Sequence, residues 1–176
     1  MSYLKPLRWW MWLFVPFSRC QRTTLKDQVG LGSQYFDIRV RYNKHKGLVF
    51  AHGLVEYKGD PFTELRKLRD MRLNCVLRIG YEGNIDEDSE AGDHFFAFVR
   101  WAKDRFNIHF IFQKNGFKVI ESNDAITCLD LYEQFWNMKR IPYPIRYARK
   151  NNARYHADIE CSSPHHYAML DFIDIR

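Results

Sequence analysis

Two strand-like stretches joined by a short polar turn limit the possible folds of this chain more than any other feature. Apolar residues occupy the even positions from Phe36 to Tyr42, whereas the odd positions include Asp37 and Arg39. Residues 43–47 are predicted to form a turn, and Leu48 to His52 a second strand. So short a turn cannot hold the crossover of a dozen or more residues that parallel strands need. The sequence therefore predicts an antiparallel hairpin.

The register of this hairpin decides which side chains meet. If Tyr42 pairs with Gly47, Arg39 lies opposite Phe50 and Asp37 lies opposite His52. Opposed residues point to the same face, with Cβ atoms about 5 Å apart. This register predicts a cluster of acid, guanidinium and imidazole, and a slip of one residue would break it.

Helical and strand-like segments alternate along the remainder of the chain. Thr23 or Thr24 is predicted to cap a helix that runs to Leu31, and Asp60 to cap one that runs to Met71. Further helices are predicted over Glu90–Arg105, Thr127–Lys139 and Arg146–Arg154, and strands over Cys75–Tyr81, His109–Gln113, Lys118–Glu121 and Tyr167–Ile173. This order favours an α/β fold with a largely parallel sheet.

The composition indicates a globular chain with a preference for anionic partners. The 176 residues suffice for one domain, and the formal net charge is +6. Phospholipid surfaces, phosphate groups and nucleic acid remain possible on charge alone. No nucleic-acid-binding motif accompanies the basic stretch Arg146–Arg154, so we interpret it as a solvated face and expect no nucleic-acid partner. The cysteines form no C-x-x-C pair, which gives no support to a zinc or redox site.

The N-terminal part contains a short aromatic segment with Trp9, Trp10 and Trp12. Its apolar run is too short for a membrane-spanning helix, which needs roughly 20 residues. One interpretation is a segment that packs on the core. The other is an aromatic wedge at a membrane interface, supported by Lys5 and Arg8.

Several phrases of the sequence resemble the X region of phosphatidylinositol-specific phospholipases C. These are Cys20-Gln21, Thr24-Leu25-Lys26-Asp27-Gln28, the run G-S-Q-Y-F-D-I-R-V from Gly32 to Val40, and F-A-H-G from Phe50 to Gly53. The resemblance implies a TIM-barrel-like domain of the phospholipase-C-like phosphodiesterase type. A complete barrel of this kind takes about 200–250 residues. We therefore expect one domain over residues 1–176 with an incomplete, N-terminally shortened barrel that lacks the first strand.

The resemblance also implies roles for individual residues. Arg39 would hold the phosphate oxygens, His52 would be the general acid, and Asp37 would hold the imidazole or orient Arg39. Asp171 would match an acid on the last strand, and Glu82 is a candidate for substrate binding. Calcium-dependent relatives carry an acidic residue at the position of Arg39, so we expect neither a metal nor another cofactor. The alternatives are a structural ion pair at Asp37 and Arg39, a solvated strand end at Glu82, and a packing role for Asp171.

The expected activity is cleavage of a phosphoric diester in a phosphatidylinositol-type phospholipid by metal-independent acid–base chemistry. The family's general-base histidine, which lies in a T-H-D phrase, has no counterpart before His45. The alternative is therefore an inactive relative that binds phospholipid or phosphate. We expect a monomer whose partner is a phospholipid headgroup, with peripheral membrane contact through Trp9, Trp10 and Trp12.

Overall fold

The fold is a mixed α/β arrangement built around one six-stranded sheet. The computed structural model describes residues 4–19, 21–33, 35–71, 76–83, 85–86, 89–105, 109–114, 118–122, 127–129, 145–146, 148–149 and 166–168. A short 3-10 helix covers Trp9–Leu13. The helices that follow are α1 (Val15–Ser18), α2 (Leu25–Gly30), α3 (Pro61–Met71) and α4 (Glu90–Arg105). The strands are β1 (Tyr35–Asn43), β2 (Gly47–His52), β3 (Val55–Tyr57), β4 (Val76–Tyr81), β5 (His109–Lys114), β6 (Lys118–Ser122), β7 (Thr127–Leu129) and β8 (His166–Ala168).

The sheet is parallel only at its centre. Its strand order is β3-β2-β1-β4-β5-β6, and β7 and β8 form a separate parallel pair. The β1–β4 and β4–β5 pairs are parallel, whereas the β1–β2, β2–β3 and β5–β6 pairs are antiparallel. The prediction of a largely parallel sheet is therefore wrong outside the centre, because short turns such as those before β2 and β3 force antiparallel pairing. Within the described ranges, the sheet does not close into a barrel.

The predicted hairpin is confirmed, but its predicted register is wrong by one residue. Asn43 pairs with Gly47, Tyr42 with Leu48 and Val40 with Phe50. The turn itself sets this register. The backbone N–H of Lys46 donates to the carbonyl oxygen of Asn43, and Gly47 has a left-handed φ of 70°. The loop therefore has three residues and is followed directly by a left-handed glycine, so Gly47 pairs with Asn43 instead of Tyr42.

A second hairpin, which sequence reasoning did not predict, follows the first. His52 pairs with Val55, so Gly53 and Leu54 form a two-residue turn in which Gly53 has a φ of 58°. The N-terminal segment then covers the outer edge of β3 through a bridge between Pro6 and Tyr57. Covering the edge satisfies backbone groups of β3 that would otherwise pair with another chain.

The N-terminal aromatic segment has both buried and exposed side chains. Met11 and Val15 are buried in the core, which anchors the segment. Trp9 and Leu13, however, are 83% and 73% exposed. Among the residues that the structure describes, there is no helix whose length and apolar character would let it cross a bilayer.

The helix boundaries follow their predicted caps closely. The Thr24 hydroxyl accepts a hydrogen bond from the backbone of Asp27, whose carboxylate accepts one from the Thr24 backbone, so α2 begins with a capping box. The Asp60 carboxylate accepts from the backbone N–H of Thr63 at 2.9 Å at the start of α3. The predicted bounds of α4, Glu90–Arg105, are confirmed. Its apolar stripe is buried against the sheet at Phe95, Phe98, Val99 and Ala102.

The C-terminal part departs from the predicted elements in one place. Thr127–Leu129 is a strand, which contradicts the predicted start of a helix at Thr127. Parallel pairing with β8 outweighs the weak local helical pattern here, as tertiary context often does. The first residues of the predicted final strand lie in β8, and residues 145–146 and 148–149 are helical. Asp171 lies outside the described residues.

The cap of α3 gives the first testable prediction. Asp60→Ala removes the acceptor of the Thr63 N–H, so we expect it to lower the free energy of unfolding by about 1 kcal/mol in urea titrations. Asp70→Ala on the exposed end of the same helix is the control, with an expected change within about 0.5 kcal/mol. Equal effects of the two variants would contradict the cap assignment.

Candidate functional site

Asp37 and Arg39 lie two residues apart on β1 and form a close ion pair. The Asp37 Oδ2 atom accepts from Arg39 Nε at 3.1 Å and lies 3.1 Å from Arg39 Nη2. The parallel neighbour β4 places Arg78 beside Asp37 and Gly80 beside Arg39. Because glycine has no side chain, this register brings nothing bulky next to the Arg39 guanidinium. The predicted pair is thus brought together at the centre of the sheet.

Arg78 is a member of the cluster that sequence reasoning missed. Its side chain is 1% exposed, and its Nη1 donates to Asp37 Oδ2 at 3.3 Å. An arginine inside the otherwise apolar strand Val76–Tyr81 was a usable signal, because arginine is almost never fully buried unless it is paired. Its partner, Asp37, could not be predicted, because the sequence does not reveal the parallel register between β1 and β4.

The Asp37 carboxylate is the shared anion of this cluster. Burial raises the pKa of Asp37, but the charges of Arg39 and Arg78 and the hydrogen bond from Arg39 outweigh burial and lower the pKa to about 2. Asp37 is therefore ionised at any physiological pH. Its second oxygen, Oδ1, is buried and has no hydrogen-bond partner among the described residues.

Glu82 follows β4 directly and joins the cluster from the other side. Its backbone N–H donates to the carbonyl oxygen of Val40, which extends the contact between β1 and β4. Its Oε2 accepts from Arg39 Nη1 at 3.3 Å, and its Oε1 accepts from the backbone N–H of Gly53 at 2.9 Å. Arg39 is therefore held between Asp37 and Glu82. The substrate-binding role of Glu82 stays a prediction.

His52 lies at the end of β2, beside the helix α1. Its Nδ1 is 2.7 Å from the carbonyl oxygen of Ser18. A carbonyl oxygen only accepts, so Nδ1 must carry the hydrogen, and Nε2 is the nitrogen that gains and loses a proton. The backbone contact between Ser18 and His52 was invisible in the sequence, because thirty-odd residues separate the two.

The electrostatic surroundings of His52 tie it to the same cluster. Burial and the charge of Arg39 lower the pKa of His52, whereas Glu82, the Ser18 carbonyl and Asp37 act in the opposite direction. The net shift is downward from 6.5. Arg39, Glu82 and Asp37 therefore all act on this imidazole, although the predicted pairing of Asp37 with His52 in the hairpin ladder is not formed.

Arg41 completes the group of side chains. Its Nη2 donates to the carbonyl oxygen of Gly53 at 2.6 Å, and its Nε donates to the carbonyl oxygen of Glu82 at 3.1 Å. Arg39 and Arg78 thus contact carboxylates, whereas Arg41 contacts backbone carbonyl oxygens. The three guanidinium groups and the carboxylates of Asp37 and Glu82 together leave one excess positive charge. Such a group can attract an oxyanion, hold it with planar donors and place a titratable imidazole beside it.

Other candidate residues lie elsewhere. His45 is in the exposed turn between β1 and β2, and His94 stacks on Tyr42 at 4.8 Å between ring centroids. Asp171 stays a prediction because it is not among the described residues. Among the residues that the structure describes, no three side chains that could bind a metal ion lie together.

Comparisons with known proteins agree with the fold at low sequence identity. No protein-family model matches the sequence, and a search of curated proteins finds no match. Among solved structures, the chain is similar to a phosphatidylinositol-specific phospholipase C from Listeria monocytogenes, with a TM-score of 0.66 and 14% identity. The similarity covers 97% of this chain and 85% of that chain. Identity this low shows a shared phospholipase-C-like fold and nothing finer.

The shared carboxylate gives a prediction on stability. Asp37→Asn leaves the buried Arg78 guanidinium without this negative charge, so we expect a loss of about 3 kcal/mol in the free energy of unfolding near neutral pH. The pKa of Asp37 is lowered from 3.8 to about 2, so its contribution is complete above 3.8 and is lost as the pH falls through about 2. The stability difference between wild type and variant should therefore shrink over that range in urea titrations.

Asp70→Asn is the control for this experiment, because Asp70 is exposed and forms its ion pair with its chain neighbour Arg69. A pH-independent difference between wild type and Asp37→Asn would contradict the ionised, shared carboxylate.

Proposed function

We propose that this chain cleaves the phosphodiester bond of a phosphatidylinositol-type phospholipid. The observation that carries the proposal is a guanidinium, Arg39, held between two carboxylates within electrostatic reach of a half-buried imidazole, His52. A fixed guanidinium suits the negative charge that builds on phosphorus-bound oxygens in the transition state. The similarity to a phospholipase C fold supports the same class of reaction.

The proposed reaction assigns a separate task to each group. A hydroxyl of the inositol ring attacks the phosphorus, and the bond from phosphorus to the diacylglycerol oxygen breaks. Arg39 holds the non-bridging oxygens, and protonated His52 gives its Nε2 proton to the leaving oxygen. The hydroxyl proton leaves to solvent or to a base outside the described residues, and the products are a cyclic inositol phosphate and diacylglycerol.

Arg39 also bears on the expectation of metal independence. A cationic side chain in the middle of the site can offset the phosphate charge that a metal ion offsets in calcium-dependent relatives. Asp37 and Glu82 both direct an oxygen to Arg39, so they hold that cation in place. We therefore propose acid–base chemistry that needs no metal or other cofactor.

We also propose that the sheet is part of an incomplete, TIM-barrel-like domain that spans residues 1–176. The support is the extent of the structural similarity, which covers 97% of the chain. The covered edge of β3 is consistent with a sheet that is stable without closure, because residues 5–7 pair with that edge.

A second candidate function is phosphate or headgroup binding without turnover. The specific observation is that His52 is the one imidazole found in the cluster among the described side chains, whereas in-line cleavage with a good rate uses both an acid and a base. The basic cluster would still bind a phosphate group.

Membrane contact is the proposed means of reaching a lipid substrate. The aromatic N-terminal surface consists of the exposed side chains of Trp9, Trp10, Trp12, Leu13 and Phe17. It leads directly to the site, because Ser18 follows Phe17 and its carbonyl oxygen accepts from His52. Leu54, which is 63% exposed, follows Gly53 in the turn after His52. Lys5 and Arg8 supply positive charge next to this surface, which suits an anionic bilayer.

The activity is tested on vesicles that contain phosphatidylinositol. We expect phosphorus NMR to detect a water-soluble cyclic inositol phosphate with wild type and a loss of about 100-fold or more in rate for Arg39→Lys, which lacks the planar fork. His52→Ala should lose about 10²- to 10⁴-fold. Arg69→Lys, on an exposed helix surface, is the control and should retain the wild-type rate.

The outcome separates the two candidate functions. Vesicle binding that depends on Arg39 without any soluble product would favour the second candidate. Neither binding nor product would contradict both.

The membrane surface is tested with the variant Trp9→Ser/Leu13→Ser. Because both side chains are largely exposed, we expect an unchanged fold but at least about tenfold weaker binding to anionic vesicles in sedimentation assays. Turnover of a soluble short-chain substrate should stay at the wild-type level. Met71→Ser, an exposed apolar residue at the end of α3, is the matched control. Equal vesicle binding by wild type and the double variant would sink the membrane proposal.

A further inference from the structure

Gly53, which follows His52, is held on both sides by charged side chains. The N–H of Gly53 donates to Glu82 Oε1 at 2.9 Å, and the carbonyl oxygen of Gly53 accepts from Arg41 Nη2 at 2.6 Å. Both hydrogen bonds involve an ionised group, which makes them stronger than ordinary backbone contacts. Together they restrain both of the peptide groups that flank the Cα atom of Gly53.

The same two side chains are also fixed to each other. Arg41 Nε donates to the carbonyl oxygen of Glu82 at 3.1 Å. Arg41, Gly53 and Glu82 therefore form a closed ring of hydrogen bonds that joins β1, the turn after β2 and the end of β4. A planar guanidinium closes this ring because it can direct two donors at two separate carbonyl oxygens.

The ring restrains a turn that has an inherently mobile residue in it. Gly53 has a φ of 58° in a two-residue turn, a conformation that glycine adopts without steric cost. Glycine also has the most backbone freedom of any residue, so a turn of this kind needs outside contacts to hold a single orientation. Those contacts are Arg41 on the carbonyl side and Glu82 on the N–H side.

The His52–Gly53 peptide group, whose N–H is held by Glu82, is directly bonded to the Cα atom that carries the imidazole. The far side of His52 is held by the Ser18 carbonyl at 2.7 Å. Glu82 further links this peptide group to Arg39, since its two oxygens contact Gly53 and Arg39 respectively. The separation between the phosphate-holding guanidinium and the imidazole is therefore set through Glu82.

We propose that Arg41 is a positioning residue. It holds the carbonyl oxygens of Gly53 and Glu82, and Glu82 in turn holds the N–H of Gly53, so Arg41 fixes the turn and thereby the direction in which Nε2 of His52 points. The proposal rests on the proposed function in so far as the positioned imidazole is the proton donor of the reaction. It differs from a role in substrate binding, because both described donors of Arg41 are directed at backbone carbonyl oxygens.

Arg41→Lys is the test, because lysine keeps the charge but cannot direct two donors at two carbonyl oxygens at once. We expect kcat to fall about 10- to 100-fold while KM stays near the wild-type value, since misplacement of a reacting group affects the chemical step. Arg69→Lys is the matched control and should change neither constant. A raised KM with an unchanged kcat would mean that Arg41 binds substrate, which overturns the proposal.

A second readout does not need turnover. Nitrogen NMR of the His52 imidazole reports its pKa and the nitrogen that holds the hydrogen. In Arg41→Lys, a loosened turn lets water reach the ring, so we expect the pKa of His52 to rise toward 6.5 and the Nδ1–H form to lose its dominance. Unchanged imidazole signals would overturn the positioning role.

The two readouts also separate this proposal from the proposed function. If wild type shows no turnover on any vesicle, the proposed function fails, but the imidazole signals still decide the role of Arg41. Near-ultraviolet circular dichroism checks that Arg41→Lys folds. If it does not, Arg41→Gln serves as the second variant, because its amide can donate to one carbonyl oxygen but not to both.

Discussion

One ionised carboxylate, that of Asp37, holds together the interior of the sheet. Arg78 is buried with its guanidinium against Asp37, and Arg39 contacts the same oxygen atom. Two buried or half-buried cations at the centre of a sheet would be very costly without this anion. With it, the chain can keep positive charge in a place where water is largely excluded. The downward shift in the pKa of Asp37 to about 2 measures how strongly the cations favour its charged form.

The remaining site is built outward from that carboxylate. Glu82 takes the opposite side of Arg39 and ties it to the turn after His52. Arg41 closes the connection between that turn and the end of β4. The imidazole itself is attached to the N-terminal segment through Ser18. Because that segment also carries the exposed tryptophans, the surface proposed to meet a membrane and the group proposed to give a proton belong to one continuous piece of structure.

Much of the fold was readable from local pattern. The alternation in β1, the Thr24 and Asp60 caps and the apolar stripe of α4 identified elements whose observed bounds lie within a residue or two of those predicted. The register of the first hairpin could not be read from local pattern, because it depended on whether Gly47 takes a left-handed conformation. A one-residue difference in turn geometry shifts every pair of the hairpin. The predicted helix start at Thr127 was wrong for a related reason, because the strand that pairs with Thr127–Leu129 lies far along the chain.

The sequence by itself determined the kinds of chemistry present: an acid and a guanidinium on one strand face, and an imidazole before a glycine, all of them close in the chain. Only the tertiary structure decided how they meet. The expected contact of Asp37 with His52 through the hairpin ladder is replaced by a cluster that needs Arg78 from β4, Glu82 directly after β4 and Ser18 from α1. Local patterns fix which face a side chain takes, because alternation depends on neighbouring residues. Partners some forty residues away are chosen by strand order and register, which depend on the free energy of the whole packed sheet.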